Sequence, residues 1–154
     1  MSHSQYKCQV QGKESYIDNL FVIFSQSYLM NQVKEYHKEK GHSNKNRVKL
    51  LELGCYNGRV MQFMTQQMIF VNYTGIDVTQ KYLAHSPVAR RKDVTLLCED
   101  VTQGLTVADG SQDMIISSEV LEHINPEDLP GVIQTLYKKL KVGGRICVAF
   151  PMNT

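Results

Sequence analysis

The sequence predicts an α/β domain built on a doubly wound parallel sheet, and three observations predict it. After residue 46, the 154-residue chain alternates short apolar runs with helix-like stretches. Alternating strand and helix closes into a parallel sheet through right-handed crossovers. The run Val48 to Leu53 offers no polar face, as expected of a central strand covered on both sides. That run then feeds a loop with Gly54 and Gly58 and the start of a helical pattern. A strand, glycine loop and helix in this order form a ligand site beyond the carboxyl end of a sheet.

Each element follows from its own pattern. Residues 1 to about 14 are polar. Residues 16 to 40 carry Ile17, Leu20, Phe21, Phe24, Tyr28 and Leu29 at spacings of three and four, which predicts a helix with Gly41 as its stop. Gly41 to Asn46 is a polar connector. The first strand is Val48 to Leu53 and the next helix Gly58 to Gln67. The second strand is Asn72 to Ile76, and a short helix from Thr79 to Ala84 follows, with Thr79 as its N-cap. Val94 to Cys98 is the third strand and Gln112 to Ser117 the fourth. Pro126 to Leu140 is a helix stopped by Gly143-Gly144, and Arg145 to Phe150 is the fifth strand.

The bulk composition bounds the function. Apolar content of 42% and charged content of 21% describe a globular domain with one core. The formal charge of +2 does not by itself argue for a nucleic-acid partner. Basic residues gather at Lys34, Lys38, Lys40, Lys45, Arg47 and Lys49, and again at Arg90, Arg91 and Lys92; solvated faces are the plainer reading and a polyanion site the sharper one. The cysteines Cys8, Cys55, Cys98 and Cys147 lack C-x-x-C spacing, so no structural metal is expected. Three of them sit inside or just after predicted strands, which fits a reducing, cytoplasmic setting. The first residues lack a secretory leader pattern and no apolar run reaches membrane length, so no membrane partner is expected.

Two acids carry the chemistry. Glu52 sits in an otherwise apolar strand, where a carboxylate is costly unless it has a partner. Asp77 follows the second strand, nineteen residues past Gly58. A carboxylate there can accept hydrogen bonds from two ribose hydroxyls. Together they point to an adenosine-containing cofactor. A nicotinamide dinucleotide is the poorer fit, because Gly54-x-x-x-Gly58 is not G-x-G-x-x-G.

Residues 48 to 150 resemble the class I S-adenosylmethionine-dependent methyltransferases. Glu52-Leu53-Gly54-Cys55-Tyr56-Asn57-Gly58 looks like that family's first motif, Gly75-Ile76-Asp77 its second and Cys98-Glu99-Asp100-Val101 its third. Asp113 to Ile124 resembles the fourth strand and its turn, and Leu140 to Ile146 the approach to the fifth strand. The resemblance implies a Rossmann-like sheet of order 3-2-1-4-5, without the usual sixth and seventh strands. It implies S-adenosyl-L-methionine as cofactor. In that reading Glu52 faces the methionine amino group, while Gly54, Cys55, Tyr56 and Gly58 line the loop. Asp77 takes the ribose. Asp100 and the Val101 N–H take the adenine, with Glu99 as a competitor for Asp100's role. Ile76, Val78 and Val101 flank the ring, and Ser117 lies near the methyl group. Tyr56 departs from the family pattern, which has a glycine at that position; it restricts the loop, covers the cofactor, or is an ordinary surface tyrosine.

Glu119, Glu122 and His123 form E-x-x-E-H, similar to quinone-biosynthesis O-methyltransferases and to small-RNA 2′-O-methyltransferases. His123 and Glu119 are the catalytic candidates. A metal site at this motif and a packing signature are the other readings, and no metal is assigned. The expected organisation is an N-terminal helical segment or lid over residues 1–46, with Tyr16, Phe24 and Tyr28 as lid candidates, and a cofactor-binding domain over 47–154. The expected reaction is methyl transfer to a small-molecule or RNA acceptor, with a non-catalytic, cofactor-holding subunit as the alternative. A bare fifth strand predicts a homodimer, a partner, the N-terminal segment or a further part of a longer protein over that edge.

Overall fold

The computed structural model describes residues 14–150, with side chains described from Ser25 onward. Cys8, Tyr16 and Phe24 therefore lie outside the described side chains. Helix α1 (Glu14–Glu39) leads into β1 (Val48–Leu53), α2 (Arg59–Gln66), β2 (Val71–Asp77), α3 (Gln80–Ala84), β3 (Val94–Cys98), β4 (Gln112–Ser118), α4 (Leu129–Lys139) and β5 (Leu140–Ala149). Short 3-10 turns follow β3 (Val101–Gln103) and β4 (Leu121–His123). The five strands form one parallel sheet of order β3-β2-β1-β4-β5, as the sequence predicts.

Alternation along the strands sends residues to two separate cores. Val48, Leu50, Tyr73, Met114 and Ile116 pack with Leu29 and Val33 of α1, Met61 and Met64 of α2 and Leu83 of α3. Leu51, Leu53, Ile76 and Ile115 pack on the opposite face with Val132 and Leu136 of α4. Each fully buried aliphatic side chain contributes about 2 kcal/mol, so β1, covered on both faces, is the anchor of the sheet.

Helix α1 runs antiparallel to the strands. Its Glu39 pairs with Arg145 near the start of β5, while its Ser25 Oγ accepts from Ser118 Oγ at 3.0 Å at the carboxyl end of β4. The turns of α1 before Ser25 thus lead beyond the carboxyl edge of the sheet.

Four predicted boundaries are corrected. Helix α4 stops at Lys139, not at Gly143-Gly144, because its last carbonyls are taken from outside the helix. Gly110 N–H donates to Lys138 O at 2.8 Å and Ser111 N–H to Lys139 O at 3.0 Å. Strand β5 then starts at Leu140, and its pairing jumps from Gln112↔Leu140 to Met114↔Arg145. The glycines absorb that bulge: Gly143 has φ +78°, and a Cβ on Gly144 would lie 3.0 Å from Asp113 O. Helix α4 also begins at Leu129 rather than Pro126, after a turn in which Asn125 O accepts from both Asp128 N–H and Leu129 N–H. Finally, β4 runs through Ser118 rather than ending at Ser117.

Candidate functional site

The carboxyl ends of β1 to β4, with the turns that follow them, collect the candidate site residues singled out in the sequence. The loop after β1 turns sharply. Gly54 has φ +67°, and a Cβ there would come 2.3 Å from Val120 Cγ2. Only glycine lets Val120 of the loop after β4 close against the loop after β1. Gly58 caps α2 at φ +77°. Between them Tyr56 holds φ +53°, a conformation costly for a residue with a side chain. That explains why the resemblance expects glycine at this position. The Tyr56 ring is exposed and lies 4.3 Å from the Tyr82 ring, with the Arg59 guanidinium 5.9 Å away. Tyr56, Asn57, Lys81, Tyr82 and His85 surround a cavity of about 280 Å³ beside this loop.

Asp77 ties the two turns together. Its Oδ2 accepts from Tyr56 N–H at 2.9 Å and its Oδ1 from Thr79 N–H at 2.8 Å. Each carboxylate oxygen keeps further acceptor capacity. Thr79 stands at the N-cap of α3 but makes no side-chain cap bond; its own N–H donates to Asp77.

Glu52 is buried within β1 and accepts from the Tyr73 hydroxyl of β2. Burial raises its pKa to about 8, against the lowering effect of the Tyr73 bond. The carboxyl is therefore mostly protonated at neutral pH. Cys55 turns its side chain into the core rather than toward the crevice, and burial pushes its thiol well above the ordinary range, so it is no nucleophile.

The third strand resolves a competition between neighbouring acids. Glu99 is occupied by Thr106, whose N–H and hydroxyl both donate to it. Asp100 takes the Thr102 N–H and hydroxyl on Oδ1, at 2.9 and 2.8 Å, and remains exposed. Val101 is buried among Leu53, Ile76 and Leu121, while Val78 is 63% exposed at the end of β2. An apolar side chain left in solvent beside two carboxylates is free to meet a flat ring.

Near the carboxyl end of β4, Ser117 is buried and its hydroxyl has no partner among the described residues. Glu119 follows at φ +56°, its N–H donating to Ala149 O at 3.1 Å. His123 ends the 3-10 turn and is exposed. Among the described residues no group of three His, Cys, Asp or Glu converges to hold a metal, so Glu119, Glu122 and His123 do not form such a cluster. Tyr73, Tyr82 and Val120 were not singled out from the sequence. Tyr73 had a signal, since a buried acid requires a donor, but only the register tells which one.

An acidic crevice of this kind suits a cationic ligand carrying a ribose and a flat ring. The methyltransferase domain profile matches residues 51–148. The chain belongs to the class I S-adenosylmethionine-dependent methyltransferase family. It is 31% identical over 103 residues to a malonyl-[acyl-carrier protein] O-methyltransferase of Bacillus cytotoxicus, a match covering 66% of this chain and 35% of that protein. The chain thus spans about a third of the length of the curated relatives it matches. The structure of the plantazolicin methyltransferase BpumL in complex with SAH superposes with a TM-score of 0.65 at 20% identity, covering 89% of this chain and 51% of that one. The [4+2]-cyclase SpnF superposes with a TM-score of 0.58 at 25% identity, covering 66% of this chain and 38% of that one.

The residues present fit the family's cofactor. The Ser117 hydroxyl, unpartnered among the described residues, the spare acceptors of Asp77 and Asp100 and the exposed Val78 all lie at the carboxyl ends of neighbouring strands. The other notable cavity, about 470 Å³, lies at the opposite, amino end of the strands and is lined by Arg47, Asn72, Arg91, Lys92 and Asp93. The two basic runs of the sequence meet there, with Arg47 and Arg91 both paired to Asp93 at 2.9 and 2.8 Å.

Proposed function

We propose that this chain binds S-adenosyl-L-methionine and transfers its methyl group to an oxygen of an acceptor. The acid set Glu52, Asp77 and Asp100, brought to one edge by the order 3-2-1-4-5, carries this reading. Glu52 would hold the ammonium group, Asp77 the ribose hydroxyls, and Asp100 with the Val101 N–H the adenine edge. Val78 and Ile76 would flank the ring, and Gly54, Cys55, Tyr56 and Gly58 would contribute backbone beside the methionine portion. When bound, the cofactor supplies a methyl carbon that is already electrophilic. The protein's part is then to position an acceptor and exclude water. Ser117 would lie near the methyl group, Glu119 would face the acceptor, and His123 would take the acceptor's proton.

Oxygen is favoured as the acceptor atom because the curated relatives matched are O-methyltransferases of an acyl-carrier-protein substrate. A small-molecule or RNA acceptor uses the same crevice. The division at residue 46 fits a cofactor domain over 47–154 and an N-terminal segment whose first turns act as a lid. Strand β5 is an edge of the sheet, and a second copy or a partner chain would cover it. Unpaired Cys55, Cys98 and Cys147 fit a cytoplasmic setting; no helix among the described residues is long and apolar enough to cross a membrane.

A second reading is a cofactor-holding subunit that does not transfer the methyl group. The superposition with a cyclase favours it, since that protein is described by a different reaction on a similar frame. Calorimetry with S-adenosylmethionine, S-adenosylhomocysteine and a nicotinamide dinucleotide tests the shared part. The first two should bind at about −5 to −8 kcal/mol and the dinucleotide not at all. Transfer of a labelled methyl group to acyl-carrier-protein conjugates, RNA or fractionated small molecules then separates the enzyme from the subunit; label found on none of them favours the subunit.

A further inference from the structure

Tyr73 is the least accounted-for polar group near the crevice. It is 1% exposed, among the largest fully buried side chains, and lies in a strand that otherwise needs no phenol. In the parallel register Tyr73 sits opposite Leu50, and Glu52 opposite Gly75. Alternation therefore puts Tyr73 and Glu52 on the same face, one step apart across the two strands. The Tyr73 hydroxyl reaches Glu52 Oε2 and donates to it.

The ring is held in place on several sides. A Cβ at Gly75 would come 2.8 Å from Tyr73 Cε1 and 2.7 Å from Cys55 Sγ, so the glycine gives both the space they fill. The Tyr73 N–H donates to Asp93 O at 2.8 Å, which fixes the strand from its other end. A fixed ring with a buried hydroxyl is a rigid support for a carboxyl group.

We propose that Tyr73 is a positioning residue, its hydroxyl holding the Glu52 carboxyl in place for the cofactor's ammonium group, and that arrival of the ammonium drives a proton from Glu52 to solvent. This rests on the reading of Glu52 under Proposed function. The groups acting on Glu52 are its own burial, the Tyr73 hydroxyl and the Asp77 carboxylate, with the Cys55 thiol alongside; on β4 its register partner is the apolar Ile116. None of these is a cation. The unliganded carboxyl accordingly keeps its proton at neutral pH, with a pKa raised to about 8. A cationic ligand supplies what the protein lacks. The carboxyl ionises, its proton passes to the buffer, and Tyr73 stays protonated because burial and Glu52 raise its own pKa.

The test uses the full chain and two ligands. S-adenosylhomocysteine carries the ammonium group, whereas 5′-methylthioadenosine keeps the adenosine and lacks it. Titration calorimetry at pH 7 in two buffers of different ionisation enthalpy counts the protons exchanged. S-adenosylhomocysteine should release close to one proton and methylthioadenosine none. Between pH 6 and 7.5 the affinity for S-adenosylhomocysteine should rise by up to about tenfold per pH unit while that for methylthioadenosine stays flat.

Tyr73→Phe should weaken S-adenosylhomocysteine by about tenfold, the loss of one hydrogen bond to a charged group, and leave methylthioadenosine unchanged. Glu52→Gln should abolish both the proton release and the pH dependence. Binding of S-adenosylhomocysteine without proton release overturns the proposal, with no variant needed. Equal weakening of both ligands by Tyr73→Phe also overturns it, since that marks a merely structural tyrosine. If neither ligand binds the unaltered chain, the cofactor reading itself falls, and the proposal with it.

Discussion

At the amino ends of the strands the charges close on one another, whereas at the carboxyl ends they stay only partly engaged. Arg47 and Arg91 share Asp93, and Arg47 also reaches Asn44 and lies 5.7 Å from the Phe70 ring. Asp113 accepts from Lys49 N–H at 2.8 Å and from Lys141 Nζ at 2.7 Å. The carboxyl ends show the reverse. Ser117 is buried without a partner among the described residues, Glu52 depends on one phenol, and Tyr56 and Glu119 hold positive φ. Gln112 Oε1 and the positive φ of Met68 show that an unsatisfied group and strain also occur at the amino ends, so among the described residues what sets the carboxyl ends apart is acids, Glu52, Asp77 and Asp100, with no cation beside them. The amino end reads as a clamp and the carboxyl end as a site.

The largest expected effect breaks that contrast through pH. Glu52 titrates at about 8 in the folded protein and near its ordinary 4.5 when unfolded. The folded state therefore holds an extra proton between those values, and stability falls as pH rises through them. The cost is absent below pH 4.5 and complete above pH 8, on the order of 5 kcal/mol at its full extent. Glu52→Gln should remove that slope. Denaturant melts of the unliganded protein should find the variant gaining on the parent steadily from pH 5 to pH 8. Parallel curves would mean that Glu52 is already ionised and paired.

Asp77→Ala comes next. It removes the proposed ribose acceptor, and S-adenosylhomocysteine affinity should fall by about 100-fold, two lost hydrogen bonds to a charged group. It also frees the N–H groups of Tyr56 and Thr79, lowering stability by about 1–2 kcal/mol. The amino-end counterpart is Asp113→Ala, which leaves Lys49 N–H and Lys141 without their acceptor. It should cost about 2–3 kcal/mol of stability and leave ligand affinity alone. If Asp113→Ala weakens binding as much as Asp77→Ala, the two ends are coupled and the contrast fails.

Much of this was readable in the chain itself. The apolar run Val48 to Leu53 declares a central strand because a strand covered on both faces cannot alternate. Asp77 declares itself by closing a strand at a fixed distance past a glycine loop. The β5 boundary was not readable. Gly143-Gly144 looks like a helix stop, yet the last carbonyls of α4 bond to Gly110 and Ser111, which lie far away in sequence. The convergence of the two basic runs on Asp93 depends on tertiary placement in the same way. So does Tyr73: period-two alternation assigns it a face only once the β1–β2 register is known. The sequence carries local pattern well and cross-strand partners poorly.

The smallest effect concerns Tyr56, where strain and contact can be separated. Its φ of +53° is cheap for glycine and costly for any residue with a Cβ, while its ring gains from the Tyr82 ring 4.3 Å away. Tyr56→Ala loses the ring contact and keeps the strain. Tyr56→Gly loses the same contact and relieves the strain, offset in part by the greater freedom of glycine in the unfolded chain. The glycine variant should therefore be the more stable of the two by about 1 kcal/mol, measured by denaturant melts at one pH. The same pair applied to S-adenosylhomocysteine titration sharpens the comparison of the two ends. If the tyrosine ring covers the ligand, both variants should lose affinity equally. If its backbone shape is what matters, the glycine variant, which adopts the positive φ without strain, should stay closer to the parent's affinity than the alanine variant. Alanine above glycine in stability would mean that the turn relaxes without a side chain to hold, and that the positive φ at Tyr56 is imposed by the Tyr82 contact rather than by the Asp77 tie.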